Sequence, residues 1–141
     1  FTVYVAEPPP KPLAPVPVVI DCSVMASIVF GEGMRDEAMA KVAGRALHAP
    51  WLLDHEIASV ALKKLRGDWP ADAIDAGLQA FDAQAVSRYR TRLTHQVEMA
   101  ERHALSSYDA AYLCVAAALR LPLVTFDRKL AAAALRELGG A

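Results

Sequence analysis

The sequence predicts a three-layer α/β/α fold, in which helices flank a central parallel sheet on both sides. Short apolar runs alternate with helical segments along the chain, which is the element order of a parallel sheet with helical crossovers. The first run, residues 18–20, is apolar on both faces, as expected of a strand covered by two layers. With 141 residues, the chain has the size of one domain with one core.

The N-terminal segment differs in composition from the rest of the chain. Residues 1–17 contain six of the nine prolines, which favours an extended, polyproline-like conformation. We therefore expect an arm or linker over residues 1–15 and the α/β domain over residues 16–141. The stretch FTVYV, residues 1–5, is either a short strand that pairs with a partner or the remnant of a tag.

The first half of the domain is expected to contain two strands and three helices. The strand at residues 18–20 precedes helical patterns at residues 23–30 and 34–46, which two glycines separate. A weak strand over residues 47–49 ends before a proline. Residues 54–66 have an apolar face and a basic face and are followed by a glycine, as in an amphipathic helix with a defined end.

The second half continues the alternation. Pro70 begins another helix, because proline is favoured in the first turn. Residues 85–91 alternate as a half-exposed strand, and helices are expected over residues 94–103 and 106–120. The run LVTF, residues 123–126, predicts the last strand, and an Ala-rich helix follows it.

Composition and charge limit the class of protein. The longest uninterrupted apolar run, residues 110–119, is about half of a membrane span, and no membrane contact is expected. Cys22 and Cys114 lie within apolar patterns, which favours buried free thiols and a reducing, cytoplasmic location. The formal net charge is −1. Neutralisation of several acids by bound cations would leave a basic surplus, so this balance does not exclude a polyanionic substrate.

Acidic residues occur where apolar strands end. Asp21 follows the first strand and Asp127 follows the last. In a parallel sheet these ends share one edge, at which ligands usually bind. Asp109 lies in the first turn of the most apolar helix, and Glu56 lies early in the third helix, where Asp54 is an alternative. The topology brings these helix starts to the same edge.

Each acid also has an alternative role as a helix cap. Ser106 and Asp109 have the spacing of a capping box. Asp21 and Asp127 each precede a predicted helix and suit an N-cap position. Capping explains the local position of each acid, but it does not explain why several acids reach one edge.

Carboxylates that crowd together raise one another's pKa unless a cation lies between them. A site of oxygen donors without a Cys or His cluster suits Mg²⁺ or Mn²⁺. Such a site is typical of metal-assisted phosphodiester hydrolysis. The pattern therefore favours a metal-dependent hydrolase.

Four segments, in this order, carry a resemblance to a known family: IDCSV, LLDHEIASVALKKL, AERHALSSYDAAYLCVAAAL and LVTFDRKL. They resemble the PIN-domain nucleases, in particular the VapC-type toxins of type II toxin–antitoxin pairs. The likeness spans roughly residues 16–141. Its most specific parts are the SxYDAxYL helix and the TxD strand end.

The resemblance implies a PIN-like fold and a Mg²⁺- or Mn²⁺-dependent endoribonuclease. It further implies an RNA substrate, a cognate antitoxin and a homodimer. By position, Ser23 and Thr125 match hydroxyl residues that support the metal site. Some relatives carry Asn where this chain has Ser59. The residues that match the catalytic, metal-binding acids of the family are Asp21, Glu56, Asp109 and Asp127.

RNA binding requires contacts to phosphates. Arg128 and Lys129 are the preferred candidates, because they neighbour Asp127. Trp51 and Trp69 either stack on bases or pack at the edge of the domain. The remaining basic candidates have an ordinary solvated surface as the alternative and comprise Lys63, Lys64, Arg66, Arg88, Arg90 and Arg92.

Two other functions remain open on the sequence. A PIN-like module that lost its chemistry would act through protein contacts alone. A phosphoacceptor or phosphatase domain would use Asp21 at its strand end, but such a phosphatase needs a second Asp two residues later, where this chain has Ser23.

Overall fold

The computed structural model describes residues 2–6 and 15–139. Strands and helices alternate within this part of the chain. In chain order they are β1 (Val18–Ile20), α1 (Cys22–Phe30), α2 (Arg35–Val42), β2 (Leu47–Pro50), α3 (Leu52–Arg66), α4 (Ala71–Asp82), β3 (Val86–Tyr89), α5 (Leu93–His103), α6 (Ser107–Leu119), β4 (Leu123–Val124) and α7 (Arg128–Leu138).

The described strands form one parallel sheet in the order β3-β2-β1-β4. The strand order reverses after β3, so right-handed crossovers place α1–α4 on one face and α5–α6 on the other. The packing agrees, since α1 contacts α2, α3 and α4, whereas α6 contacts α5 and α7. The predicted three-layer α/β/α fold is confirmed.

The core lies between the sheet and these helices. All three residues of β1 are fully buried, as expected of a central strand covered on both faces. Helix α6 buries seven consecutive residues, from Ala110 to Ala116. This helix packs against β1, β2 and β4, so its first turn is held firmly beside the carboxyl edge of the sheet.

Several element boundaries differ from the sequence expectations. The last strand ends at Val124, because the polar groups of the next residues bond to the segment after β1. Helix α2 ends at Val42, before Gly44, which has a φ of +70°. Helix α3 begins at Leu52, because Trp51 already has helical backbone angles.

The predicted arm lies mostly outside the described residues, which omit residues 1 and 7–14. Residues 2–6 are exposed and form no strand within the chain, and a strand that pairs with a partner stays a prediction. In the described residues, no helix combines the length and the apolar character needed to cross a bilayer.

Candidate active site

The register of the sheet places three residues at one level where the strands end. Val19 pairs with His48 and Ile20 pairs with Val124. Continuing the first pairing by two residues brings Asp21 level with Pro50, and continuing the second by one residue brings it level with Thr125. Asp21 therefore stands at the centre of the carboxyl edge, between the ends of β2 and β4.

Asp21 is buried, with 6% of its surface exposed, and it is held by three donors. Ser23 Oγ donates to Oδ1 at 2.7 Å, and the Val24 amide donates to the same oxygen at 3.2 Å. Thr125 Oγ1 donates to Oδ2. Asp21 is thus the N-cap of α1, and the capping role is confirmed, although the bonds from Ser23 and Thr125 go beyond a cap.

The same two hydroxyls also hold the segment after β4. Ser23 Oγ accepts a hydrogen bond from the Phe126 amide at 3.1 Å, and Thr125 Oγ1 accepts one from the Asp127 amide at 2.9 Å. Each hydroxyl therefore donates to Asp21 and accepts from the chain beyond β4. This arrangement fixes the position of Asp127 relative to Asp21.

Asp127 is exposed and is the N-cap of α7. Its Oδ1 accepts from the amides of Lys129 at 2.8 Å and Leu130 at 3.0 Å, which confirms the capping role expected for this residue. Among the described residues, no hydrogen bond reaches its Oδ2. One carboxylate oxygen of Asp127 consequently remains available at the edge of the sheet.

Asp109 lies in the first turn of α6. Ser106 is the N-cap of this helix, and its Oγ accepts from the Asp109 amide at 3.1 Å. Burial raises the pKa of Asp109, and the charge of Asp127 raises it further. The Ser106 side chain and the charge of Lys129 act in the opposite direction, so Lys129 lies close enough to compensate part of the negative charge.

Glu56 reaches the same region from α3. The hydroxyl of Tyr112 donates to Glu56 Oε1 at 2.6 Å. Burial raises the pKa of Glu56, the bond from Tyr112 lowers it, and the charges of Asp109 and Asp21 raise it. Asp54 instead forms an ion pair with Arg88. Of the two acids considered for α3, Glu56 is the one whose pKa is raised by the charges of the other carboxylates.

The carboxylates thus influence one another as a connected group. Burial raises the pKa of Asp21, its three donors lower it, and the charge of Asp109 raises it. Asp109 interacts with the other three acids of the group. In the described part of the chain, however, no three His, Cys, Asp or Glu side chains are arranged so that they would hold one metal ion.

The chemistry of these donors nevertheless fits a hard divalent cation. Mg²⁺ keeps several waters and binds proteins through one or two carboxylates together with substrate phosphates, so it does not require three direct protein ligands. The nearest thiol, Cys22, has its pKa raised to about 12 by burial and by the charges of Glu56 and Asp21. This raised pKa favours the protonated thiol over the thiolate that binds metals.

A groove with a volume of about 440 Å³ lies beside Glu56. Leu52 and Val60 give it an apolar floor, and Tyr108, with 61% of its surface exposed, forms part of its wall. His55 and Lys63 line it as well. The groove gives an extended ligand access to the Glu56 side of the site.

The predicted RNA-binding residues fall into two groups. The first group is exposed and forms no ion pair with another described residue; it comprises Lys63, Arg66, Arg90, Arg92, Arg128 and Lys129. Arg88 and Lys64 are engaged within the fold: Arg88 pairs with Asp54, and Lys64 pairs with Glu32. The expectation that Arg88 and Lys64 contact phosphate is not supported, because their charges are already compensated.

Two features of the site were not foreseen. Tyr112 holds Glu56, and the signal was its spacing of three residues from Asp109, which places both on one face of α6. The side chain of Trp51 is 56% exposed and lies beside Arg88. Cys22 and Cys114 are free, as predicted, and His103 is buried and bonded to Glu137.

Comparison with known proteins adds the family context. The profile of the PIN domain matches residues 18–135, which is nearly the whole α/β domain. The VapC ribonuclease Mb0985 of Mycobacterium bovis is 35% identical over 115 residues, covering 80% of this chain and 87% of that protein. Ribonuclease VapC9 of Mycobacterium tuberculosis matches with the same identity and coverage.

Further matches have lower identity. Ribonuclease VapC3 of Pyrobaculum aerophilum is 29% identical over 120 residues, covering 81% of this chain and 92% of that protein. The crystal structure of PAE2754 from the same organism superposes with a TM-score of 0.67 at 25% identity, covering 84% of this chain and 79% of that one. Sequence and backbone comparisons thus agree.

Proposed function

The chain belongs to the PIN domain family, in its VapC branch, and from this premise we propose that it is a metal-dependent endoribonuclease that acts as the toxin of a toxin–antitoxin pair. The observation that carries the proposal is the mutual influence of Asp21, Glu56, Asp109 and Asp127. These carboxylates come from four separate segments, and the repulsion among their charges would favour a bound cation.

In this proposal, Asp21 and Asp109 bind Mg²⁺ or Mn²⁺ directly. Asp127 binds directly or through a water, with the oxygen that α7 does not use. The bound cation would lower the pKa of a water molecule and neutralise charge on the scissile phosphate. The rigid hydrogen bonds to Asp21 support its choice as a ligand, since a fixed carboxylate loses little freedom on binding.

Glu56 has a different environment and is proposed for a different role. The raised pKa of Glu56 makes its carboxylate a stronger base. A stronger base suits a group that accepts a proton from the attacking water. Tyr112 holds one oxygen of Glu56 and thereby orients the other. Contact with the cation through a water is the alternative for this residue.

Substrate contacts are proposed for Arg128 and Lys129, which are exposed and follow Asp127 directly. Lys129 already compensates part of the charge of Asp109, so it stands near the position of a scissile phosphate. We further propose a cognate antitoxin that covers the carboxylates, a paired form of the chain and action in the cytoplasm. These partners and this location follow from the family and stay predictions.

The decisive experiment measures RNA cleavage with and without Mg²⁺ or Mn²⁺. Asp21→Asn and Asp109→Asn keep the size of the side chain and remove its charge. Asp75→Asn is the matched control, because Asp75 is an exposed acid on α4. We expect the two site variants to lose cleavage and the control to retain it. A metal-independent parent, or full activity in the double variant, would refute the proposal.

Two further arms make this experiment more specific. Single-stranded DNA of the same sequence tests the preference for RNA, which rests on the named relatives. Growth of cells that express the parent or the Asp21→Asn variant tests toxicity. If the chain bound RNA but did not cut it with any divalent cation, the remaining hypothesis would be a PIN-like interaction module without catalytic activity.

A further inference from the structure

We propose that Trp51, backed by Arg88 and flanked by Arg90, forms a stacking site for one unpaired base of the substrate, next to the carboxylates. This inference rests on the proposed function, because it assumes a single-stranded RNA substrate. It assigns a role to a tryptophan that the catalytic arrangement does not use. The observations are the exposure of Trp51, the support of its ring, its position in the sheet and the charge around it.

The indole ring of Trp51 is exposed on one side and supported on the other. Trp51 as a whole residue is 56% exposed to solvent. The guanidinium carbon of Arg88 lies 5.5 Å from the centre of the Trp51 ring and 5.4 Å from that of Phe81, within the range of cation–π contacts. A supported aromatic ring loses little freedom when a base stacks on its open face.

Arg88 is itself fixed, which makes the support rigid. Its Nε donates to Asp54 Oδ1 at 2.6 Å, and its Nη1 donates to the carbonyl of Val86 at 3.1 Å. The side chain of Arg88 is only 18% exposed. Its charge is compensated by Asp54, so its function here is to hold the indole rather than to bind phosphate.

The sheet places the backbone of Trp51 next to the segment that carries Asp21. The Trp51 amide donates to the carbonyl of Tyr89 at 3.1 Å, which extends the β2–β3 pairing to the level just beyond Asp21. Neighbouring strands are about 4.8 Å apart. The backbone of Trp51 is therefore about one strand, and that of Arg90 about two strands, from the segment that carries Asp21.

The charge around the ring favours a nucleic acid over a second protein surface. Arg90 and Arg92 are exposed and have no ion-pair partner among the described residues. Arginines beside an exposed aromatic ring match the chemistry of single strands, in which phosphates alternate with stacking bases. In a two-fold contact centred on this ring, Arg90 and Arg92 would face the same arginines of a second copy, and this repulsion argues against a contact between identical chains.

The test uses the fact that the chain has two tryptophans. In the Trp69→Phe variant, Trp51 is the only one, and its fluorescence reports on its own surroundings. Trp69 contacts Lys64 on the surface away from this site, so this change serves as the control. A short single-stranded RNA is titrated in the presence of a chelator, which separates binding from cleavage, and the anisotropy of labelled RNA measures affinity independently.

We expect RNA to quench the emission of Trp51. Trp51→Ala should weaken binding by about 5- to 150-fold, the loss typical of one stacked base, and Trp51→Phe should restore most of it. With metal added, Trp51→Ala should raise KM more than it lowers kcat, as expected for an interaction with the substrate that does not change during reaction. Arg90→Gln should make the slope of the logarithm of the RNA binding constant against the logarithm of salt concentration shallower by about 0.7.

Distinct outcomes would overturn this inference. Unchanged Trp51 emission at saturating RNA, or equal affinity in Trp51→Ala, would show that bases bind elsewhere, while the proposed nuclease function would stand. If RNA were neither bound nor cut by the parent, the proposed function would fail as well. If Trp51→Ala changed the sedimentation coefficient and left RNA affinity intact, Trp51 would be a protein contact instead.

Discussion

Thr125 Oγ1 donates a hydrogen bond to Oδ2 of Asp21, a residue 104 positions earlier in the sequence. The bond joins the ends of two neighbouring strands, β1 and β4. It lowers the pKa of Asp21 against the effect of burial, and among the groups that lower it, Thr125 acts most strongly. The ionised form of this buried carboxylate is thus stabilised most by the Thr125 hydroxyl, and Ser23 and the Val24 amide contribute to a lesser extent.

Replacement of this hydroxyl tests its role. In Thr125→Val the shape is kept and the donor is lost, so we expect cleavage to fall by about 10- to 100-fold, as is typical when a residue that orients a metal ligand is removed. The pKa of Asp21 should rise further, and activity should therefore begin at a higher pH than in the parent. The pH–rate profile measures both effects.

Thr125→Ser is the control, because it keeps the donor, and it should resemble the parent. A Thr125→Val profile identical to that of the parent would contradict this role.

Tyr112→Phe tests the support of Glu56. Tyr112 is 1% exposed, so Phe retains its packing and removes only the donor to Glu56. Since this bond lowers the pKa of Glu56, its loss should raise that pKa and move the acidic limb of the pH–rate profile upward. Unfolding should cost about 1 kcal/mol less, the usual worth of one hydrogen bond. Tyr108→Phe is the control and should leave the acidic limb in place.

Gly77→Ala tests the contact between α1 and α4. A Cβ at this position would clash with Cδ1 of Phe30 and would lie 3.1 Å from the carbonyl oxygen of Val29. Overpacking costs about 1–3 kcal/mol and exceeds the gain of up to about 1 kcal/mol in helix propensity. Denaturant unfolding should show the loss. A Cβ at Gly33 would meet no atom within 4 Å, so Gly33→Ala should stay within about 0.5 kcal/mol of the parent.

Glu137 offers a test of pH-dependent stability away from the site. It accepts from His103 Nε2 at 2.8 Å and from Arg102 Nη1 at 2.6 Å, and these bonds lower its pKa below the ordinary value of 4.5. A lowered pKa in the folded state contributes stability above the unfolded pKa, and this contribution is lost as the pH falls through the folded pKa.

For Glu137→Gln we therefore expect a lower free energy of unfolding at pH 7, by about 1 kcal/mol, the difference between a charged and a neutral hydrogen bond. Below pH 4.5 the difference from the parent should shrink. Urea unfolding at several pH values measures it. A difference that is the same at every pH would show that the charge of Glu137 is not involved.

The sequence was informative where local pattern decides structure. The apolar run of β1, the helix after Pro70 and the caps at Asp21 and Asp127 all follow from neighbouring residues, and they were predicted. The end of β4 was not, because Thr125 and Phe126 bond to a segment more than 100 positions away. Local periodicity carries no information on such a partner.

The same distinction holds for the site. Asp21, Asp109 and Asp127 were proposed because each stands at a strand end or in a first helical turn. Glu56 was proposed because it lies early in α3. The engagement of Arg88 with Asp54 was missed, since these residues are 34 positions apart and become neighbours only when β2 and β3 pair. The exposure of Trp51 is likewise set by tertiary structure, because it depends on the direction in which the chain continues from β2 into α3.

Titration calorimetry of Mn²⁺ tests most directly whether the carboxylates at the strand ends share a cation. The parent and the Asp75→Asn control should bind Mn²⁺, and about a hundredfold excess over Kd should stabilise the fold by about 2.7 kcal/mol. Asp109→Asn should bind much more weakly, because Asp109 interacts with all the other acids of the group. Equal Mn²⁺ binding by Asp109→Asn and the parent, or no binding by either, would contradict the account.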